Sequence, residues 1–354
     1  MIDPMESIDY PIYFKNSLIK LGKFIQESSY SRIFFLVDRH TAEYCLPVVM
    51  QALPELSEYD VIEIEPGEEN KNIDFCIGIW NMLLDFGADR KSLLINVGGG
   101  VVGDMGSFAA STFKRGIDFV QVPTTLLSQV DASVGGKTGI DLNQVKNCIG
   151  TFSQPKAVFI ESIFLNTLDN RQLNSGFAEM LKHGLISDKS YFTDLQNLNL
   201  NDLNNKLIYK SVLIKNEIVK SDPKEQSIRK ILNFGHTIGH AVESYFLGGP
   251  SPLLHGEALA IGIICEAFIS HKHNGLSADE LNQIVETIKQ HFPLVNIPPE
   301  SYPQVLEYMH NDKKNEKGKI GFALLNKIGR CDFDRFATRE QITDSLNFYQ
   351  NLLA

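Results

Sequence analysis

The chain has 354 residues, of which 43% are apolar and 21% charged, with a formal net charge of −10. This describes a globular protein with room for two domains. The acidic balance, with no Lys/Arg run against it, argues against a nucleic-acid binder, although a local basic pocket for an anionic ligand stays open. The five cysteines (Cys45, Cys76, Cys148, Cys265, Cys331) form no C-x-x-C pair, which suits a reducing compartment. The start MIDPMESIDY lacks a hydrophobic signal core, and no apolar run has the ~18–20 residues of a membrane span. The expectation is a soluble, cytoplasmic protein.

In chain order, RIFFLVD (32–38) and VIEIE (61–65) read as strands, and FCIGIWNMLLDFG (75–87) reads as a helix stopped by Gly87. SLLINV (92–97) and FVQVP (119–123) are further strands. Such alternation predicts a mostly parallel sheet covered by helices. Beyond about Leu168 the spacing turns helical, so a boundary is expected at 165–172, with no low-complexity linker and no internal repeat. KKNEKGKIGFALL (313–325) is expected to be a hairpin or a loop returning to the site.

INVGGGVVGDMGS places Gly98, Gly100 and Gly103 in a G-x-G-x-x-G arrangement between a strand and a helix. Glycines there let backbone N–H groups approach a pyrophosphate. The acidic ribose ligand usual about 20 residues on is missing, because Asp118 precedes its strand. Asp38, however, closes the first strand, and Thr124 and Thr125 follow another, at the edge where such sheets bind ligands. A variant dinucleotide site is expected.

NFGHTIGHAVE (233–243) spaces His236 and His240 four apart without the glutamate of a zinc-protease motif, since Thr237 stands there. Arg229, Asn233, His236 and His240 follow 4, 3, 4 spacing and predict one polar helical face; Ile231, Phe234, Ile238 and Val242 take another. Gly235 and Gly239 each cost a helix roughly 1 kcal/mol against alanine, which a close neighbour would explain. A catalytic zinc needs about three protein ligands and an open position. His255 and Glu179 are candidates beside His236, although Glu179 could instead pair with Lys182 at i+3. Lys215 interrupts the apolar stripe Ile208, Val212, Val219, as a snorkelling side chain or as an inward cation for an anion. Lys137, Lys146 and Asn147 add polar groups near glycines.

GGGVVGD, VPTTLLSQVDASVGGKTGID, FLNTL, GFAEMLKHG, LNFGHTIGHA and LLHGEALAIG, in that order, resemble the 3-dehydroquinate synthase family over nearly the whole chain. The resemblance implies a Rossmann-like α/β NAD-binding domain (1–168) followed by an all-α metal- and substrate-binding domain (169–354). It implies Glu179, His236 and His255 as ligands of zinc, with cobalt accepted, and His240 beside the metal to move protons or hold phosphate. Asp131, Lys137, Lys146, Asn147, Lys182, Lys215, Arg229 and Asn233 match its substrate set, joined by one of Lys313 and Lys314. Asp38, Glu68, Lys71, Gly99, Gly100, Val101, Asp104, Thr124 and Thr125 match NAD contacts, with Lys137, Lys146 and the run Phe164, Leu165, Asn166, Thr167. His40 departs from the asparagine frequent in the family, which bears on the adenosine-ribose contact.

The implied reaction converts 3-deoxy-D-arabino-heptulosonate 7-phosphate to 3-dehydroquinate and phosphate in aromatic amino acid biosynthesis. It runs through transient oxidation by NAD, β-elimination, reduction, ring opening and an aldol closure. A homodimer is implied as well, with Arg115 either reaching a neighbouring subunit's substrate phosphate or serving as a helix C-terminal cation. The competing readings are another sugar-phosphate cyclase, a metal-dependent glycerol or alcohol dehydrogenase, and a non-catalytic NAD or metal sensor.

Overall fold

In the computed structural model, which describes residues 3–142, 145–310 and 320–353, the apolar runs of the first half become the centre of a sheet. The chain passes through β1 (Met5–Glu6), β2 (Pro11–Tyr13), α1 (Ser17–Glu27) and β3 (Ile33–Asp38). It continues through α2 (Arg39–Tyr44), α3 (Leu46–Gln51), β4 (Asp60–Ile64), α4 (Ile73–Asp85) and β5 (Leu93–Gly98). Then come α5 (Gly100–Thr112), β6 (Asp118–Pro123), the strands β7 (Lys137–Leu142) and β8 (Val145–Phe152), and β9 (Val158–Phe159). The sheet order is β1-β2-β9-β6-β5-β3-β4. All its pairs are parallel except β1 with β2.

Alternation decides which helices cover which face. Phe34 and Leu36 join a core with α4 and α5, whereas Phe35 and Val37 point the other way toward α1 and α3. Between β3 and β5 the strand order reverses, so the carboxyl ends carrying Asp38 and the glycine loop flank a topological switch point. β7 and β8 form a separate antiparallel hairpin.

The chain then runs through α6 (Asn170–Ser187), α7 (Lys189–Gln196) and α8 (Asn205–Ser221). It ends with α9 (His236–Leu247), α10 (His255–His273), α11 (Ala278–His291), α12 (Tyr302–His310), the hairpin β10 (Ile320–Lys327) and β11 (Arg330–Ala337), and α13 (Arg339–Asn351). Contacts divide the chain into a unit of 1–169 with 204–220 and a unit of 170–203 with 221–354.

Two details differ from the expected organisation. Residues of α8 group with the sheet unit: Asn216 Nδ2 donates to the Glu6 carbonyl at 2.8 Å, and Tyr209 meets Phe14 edge-on at 4.9 Å between centroids. The second unit is helical as expected, but it also holds the β10–β11 hairpin, where IGFALL is an almost fully buried strand. Lys313 and Lys314 lie outside the described residues. Among the described residues, no helix is long and apolar enough to cross a membrane.

Candidate metal and cofactor sites

In the sheet unit, α5 begins at Gly100 directly after β5, with Gly99 before it and no acidic residue in its first turn. The first-turn N–H groups, including that of Val101, have no acceptor within the helix, and the dipole there favours an anion. Asp38, across the switch point, caps α2 by accepting the Thr41 N–H at 2.8 Å. Thr124 and Thr125 follow β6 at the same edge, while Phe164, Leu165, Asn166 and Thr167 form a short 3₁₀ turn after β9. These groups fit a dinucleotide: a glycine-lined helix start for the pyrophosphate and a strand-end carboxylate for a ribose.

A polar network ties this edge to the β7–β8 hairpin. Lys71 is 3% exposed; its Nζ lies 2.7 Å from Asp104 Oδ2 on α5 and 2.6 Å from Asn147 Oδ1 on β8. Burial opposes the Lys71 charge, but Asp104 and Glu68 outweigh it and raise the pKa. Lys146 pairs with Glu68 at 3.1 Å. Asn147 adopts a left-handed φ of 50°, fixed by its N–H donating to Asp141 Oδ1 at 2.7 Å. Lys215 points inward from α8, its Nζ 2.7 Å from Asp131 Oδ1. Lys137 is exposed at the start of β7.

In the helical unit the expected continuous polar face is interrupted. Arg229 and Asn233 lie on a 3₁₀ turn (Ile228–Asn233), Gly235 takes φ 81°, and α9 starts afresh at His236. The 4, 3, 4 spacing therefore spans two segments; only His236 and His240 share a helix. A Cβ at Gly235 would be strained by its positive φ, and would come within 2.8 Å of both Ile263 and Leu259. Asp222 organises the preceding loop, accepting N–H groups from Gln226 at 3.0 Å, Ser227 at 2.6 Å and Arg229 at 3.1 Å. Arg229 Nη1 donates to the Pro223 carbonyl at 2.7 Å, and Asn233 Nδ2 donates to Glu225 Oε1 at 2.7 Å.

Glu179, on α6 and wholly buried, faces two ways. Its Oε1 lies 3.3 Å from His236 Nε2 and 3.2 Å from His255 Nε2, while its Oε2 pairs with Lys182. The ion pair and the ligand geometry thus coexist, one on each oxygen. His236 Nδ1 donates to the Phe234 carbonyl at 3.2 Å, which orients Nε2 toward Glu179. His255 Nδ1 faces Glu243 Oε2 at 3.4 Å. His240 completes the group, its ring 4.9 Å from that of His236 and 5.7 Å from that of His255.

Charge follows geometry. Burial would raise the Glu179 carboxyl, but Lys182 and the two histidines hold it well below the usual range. Burial and Lys182 push His236 down to about 4. His255 is raised to about 10, because Glu179 and Glu243 overcome its burial.

The donor set fits a divalent ion. Donors about 2.1 Å from a tetrahedral ion sit about 3.4 Å apart, close to the 3.2 and 3.3 Å measured from Glu179 Oε1. All three ligand atoms lie within 4.8 Å of one another.

A glycine-lined helix start at a parallel-sheet switch point, together with a Glu/His/His cluster, defines a dinucleotide- and metal-dependent enzyme. Residues 61–175 match the family described as 3-dehydroquinate synthase N-terminal, and residues 176–315 match 3-dehydroquinate synthase C-terminal. The 3-dehydroquinate synthase of Parabacteroides distasonis is 44% identical over 335 residues, covering 94% of this chain and 95% of that protein. The chain belongs to the 3-dehydroquinate synthase family. Solved structures share the fold at 24% identity. The 2-epi-5-epi-valiolone synthase of Streptomyces hygroscopicus, with NAD+ and Zn2+ bound, has a TM-score of 0.86 over 99% of both chains. A 2-deoxy-scyllo-inosose synthase with carbaglucose-6-phosphate, NAD+ and Co2+ has a TM-score of 0.83 over 96% of both.

Sequence reasoning missed Asp222, Glu225, Glu243 and Glu266. Glu243 stood three residues after His240, on its face, and Glu266 was the one charge in the otherwise apolar stretch 258–269 of its helix. Asp222 and Glu225 act on loop backbone and a neighbouring amide, for which spacing holds no signal.

Proposed function

We infer that this chain catalyses conversion of 3-deoxy-D-arabino-heptulosonate 7-phosphate to 3-dehydroquinate and phosphate. The observation that carries the reading is Glu179, with one oxygen between two histidine Nε2 atoms and the other on a buried lysine. The buried cations Lys182, Lys215 and Arg229 favour a sugar acid phosphate over a simple alcohol, which offers them no anion to bind.

Glu179, His236 and His255 would hold zinc or cobalt; Asp38, Glu68, Lys71, Asp104, Thr124, Thr125 and the 99–101 and 164–167 segments would hold NAD. When bound, NAD supplies a hydride acceptor restored within the turnover, and the metal supplies Lewis acidity toward substrate hydroxyls. The protein's own groups bind and orient. Lys137, Lys146, Lys182, Lys215 and Arg229 neutralise carboxylate and phosphate, and Asn147 and Asn233 hydrogen-bond hydroxyls. Asp131 fixes the Lys215 ammonium, and a His240 ring nitrogen carries a proton. The five free thiols fit a reducing, cytoplasmic setting.

The test supplies the heptulosonate phosphate, zinc and a trace of NAD. Phosphate and 3-dehydroquinate should appear together, with no net gain in nicotinamide absorbance. Phosphate without the carbocycle overturns the reading, and stoichiometric NADH points to a dehydrogenase.

A homodimer sharing Arg115 is the finer reading. Arg115 is exposed, with φ 71°, just before the amino end of β6, whereas Thr124 and Thr125 follow its carboxyl end. Its guanidinium suits the phosphate of a neighbouring subunit, and lysine would not replace it. Mixing inactive Arg115→Ala with inactive Lys137→Ala should restore about half the parental activity per heterodimer, since one pocket carries neither lesion. No recovery in proven heterodimers refutes the sharing.

A further inference from the structure

α9 and α10 lie antiparallel and close. Gly235 abuts Ile263, Glu243 reaches His255, and a Cβ on Gly262 would fall 1.9 Å from the Gly235 carbonyl. Into this contact α10 sends Glu266, a carboxylate with no exposed surface. Its Oε2 accepts the Gly235 N–H at 2.7 Å and its Oε1 accepts the Ile238 N–H at 3.0 Å. These are N-cap and first-turn donors of α9, which have no acceptor within the helix, and the positive helix end favours a carboxylate. His236, the first residue of α9, lies between them.

We propose that Glu266 is a positioning residue for the metal centre: it fixes where α9 begins against α10 and so holds His236 Nε2 within ligand distance of Glu179 and His255. The inference rests on the reading of Glu179, His236 and His255 as metal ligands. Glu266 is not one of those three ligands. It acts through two backbone hydrogen bonds that straddle a ligand residue, and tolerance at a metal site is about 0.5 Å. Glu266→Gln keeps the size of the side chain but replaces one acceptor oxygen by an amide that faces an N–H. One end of the clamp is then lost.

The test titrates metal-free parent, Glu266→Gln, Glu266→Asp and Ser270→Ala with Co2+ alone, by chelator competition and by the ligand-field absorption spectrum. Thermal melts of the metal-free proteins establish folding. Ser270 is buried one turn further along α10; its Oγ donates to the Glu266 backbone carbonyl at 2.6 Å and accepts the Leu325 N–H at 3.0 Å, and neither bond reaches α9 or the Glu266 carboxylate. Glu266→Gln should bind Co2+ about 10- to 100-fold more weakly, the range for groups that orient ligands, with a changed spectrum. Glu266→Asp, with both acceptors on a shorter arm, should fall between it and the parent, and Ser270→Ala should match the parent. A folded Glu266→Gln with parental affinity and spectrum overturns the proposal, whatever its melting temperature. Should Glu266→Gln not fold, parental binding by Glu266→Asp overturns it equally. A parent that binds no Co2+, or a His236→Ala variant that binds it as well as the parent, refutes the ligand reading and this inference with it.

Discussion

Replacing Lys71 by methionine tests whether the cofactor edge and the β7–β8 hairpin form one electrostatic unit. The ammonium is 3% exposed and sits between Asp104 at 2.7 Å and Asn147 at 2.6 Å, with Glu68 at 4.0 Å. Removing one partner of a buried pair costs about 3–5 kcal/mol, mostly from the charge left behind. The Asp104 side chain keeps 21% of its exposure and can turn toward water, which places the loss near the lower end, about 3 kcal/mol. At roughly 2–4 °C per kcal/mol for a unit of this size, the calorimetric transition of the sheet unit should fall by about 6–12 °C. Lys71→Met/Asp104→Leu, which removes the stranded charge, should recover much of the loss. Because the Lys71 pKa is raised, its contribution is complete below the ordinary lysine value and is lost only as pH rises through the folded one. The deficit should therefore be flat from neutral to mildly alkaline pH. A Lys71→Met transition within 1–2 °C of the parent, about 0.5 kcal/mol on the same scale, would refute the reasoning.

His236→Ala should lose tightly held metal, whereas His240→Ala should keep it and turn over slowly; equal metal loss in both would refute the division of roles. Asp222 is held below the usual carboxylate range: its burial, which would raise it, is outweighed by N–H groups of Gln226, Ser227 and Arg229. Its stabilisation is present above the unfolded carboxylate pKa and lost as pH falls through the folded one, so Asp222→Asn should flatten the acid limb of the stability curve. An unchanged acid limb in that variant would count against the loop argument. Gly262→Ala should disrupt the α9–α10 contact and cost several kcal/mol, since backbone rather than a pliable side chain meets the new methyl; a melt unaltered by that substitution would mean the helices can part freely.

Legibility tracked the range of the interaction. β3, β5 and β6 are covered on both faces, so their apolar runs were plain. Asp38 and the glycine loop were visible because strand ends and helix starts are local features. The β7–β8 hairpin was not, since GIDLNQVKN lacks clean alternation and Asn147 needs a left-handed backbone held by Asp141. Membership of α8 depends on partners such as Glu6, some 200 residues away. The break at Gly235 was hidden because polar residues fall in helical register on both sides of it, and periodicity does not report φ.

The helical unit also explains why buried acids gather at this site. His236 and His255 are each the first residue of a helix, where the dipole end carries about half a positive charge. A divalent cation placed there is repelled by two such ends and by the Lys182 ammonium. Glu179, Glu243 and Glu266, none more than 3% exposed, supply the compensating charge. Glu179 faces both histidines, Glu243 faces the second ring nitrogen of His255, and Glu266 takes the N–H groups around His236. Glu179 and Glu243 raise the His255 pKa against its burial, which reflects the same local excess of negative charge. The same three carboxylates also fix the register of α6, α9 and α10, so charge and geometry cannot be altered separately. A neutral substitution at any of the three should weaken metal binding, most at Glu179, whose Oε1 lies against both histidine Nε2 atoms.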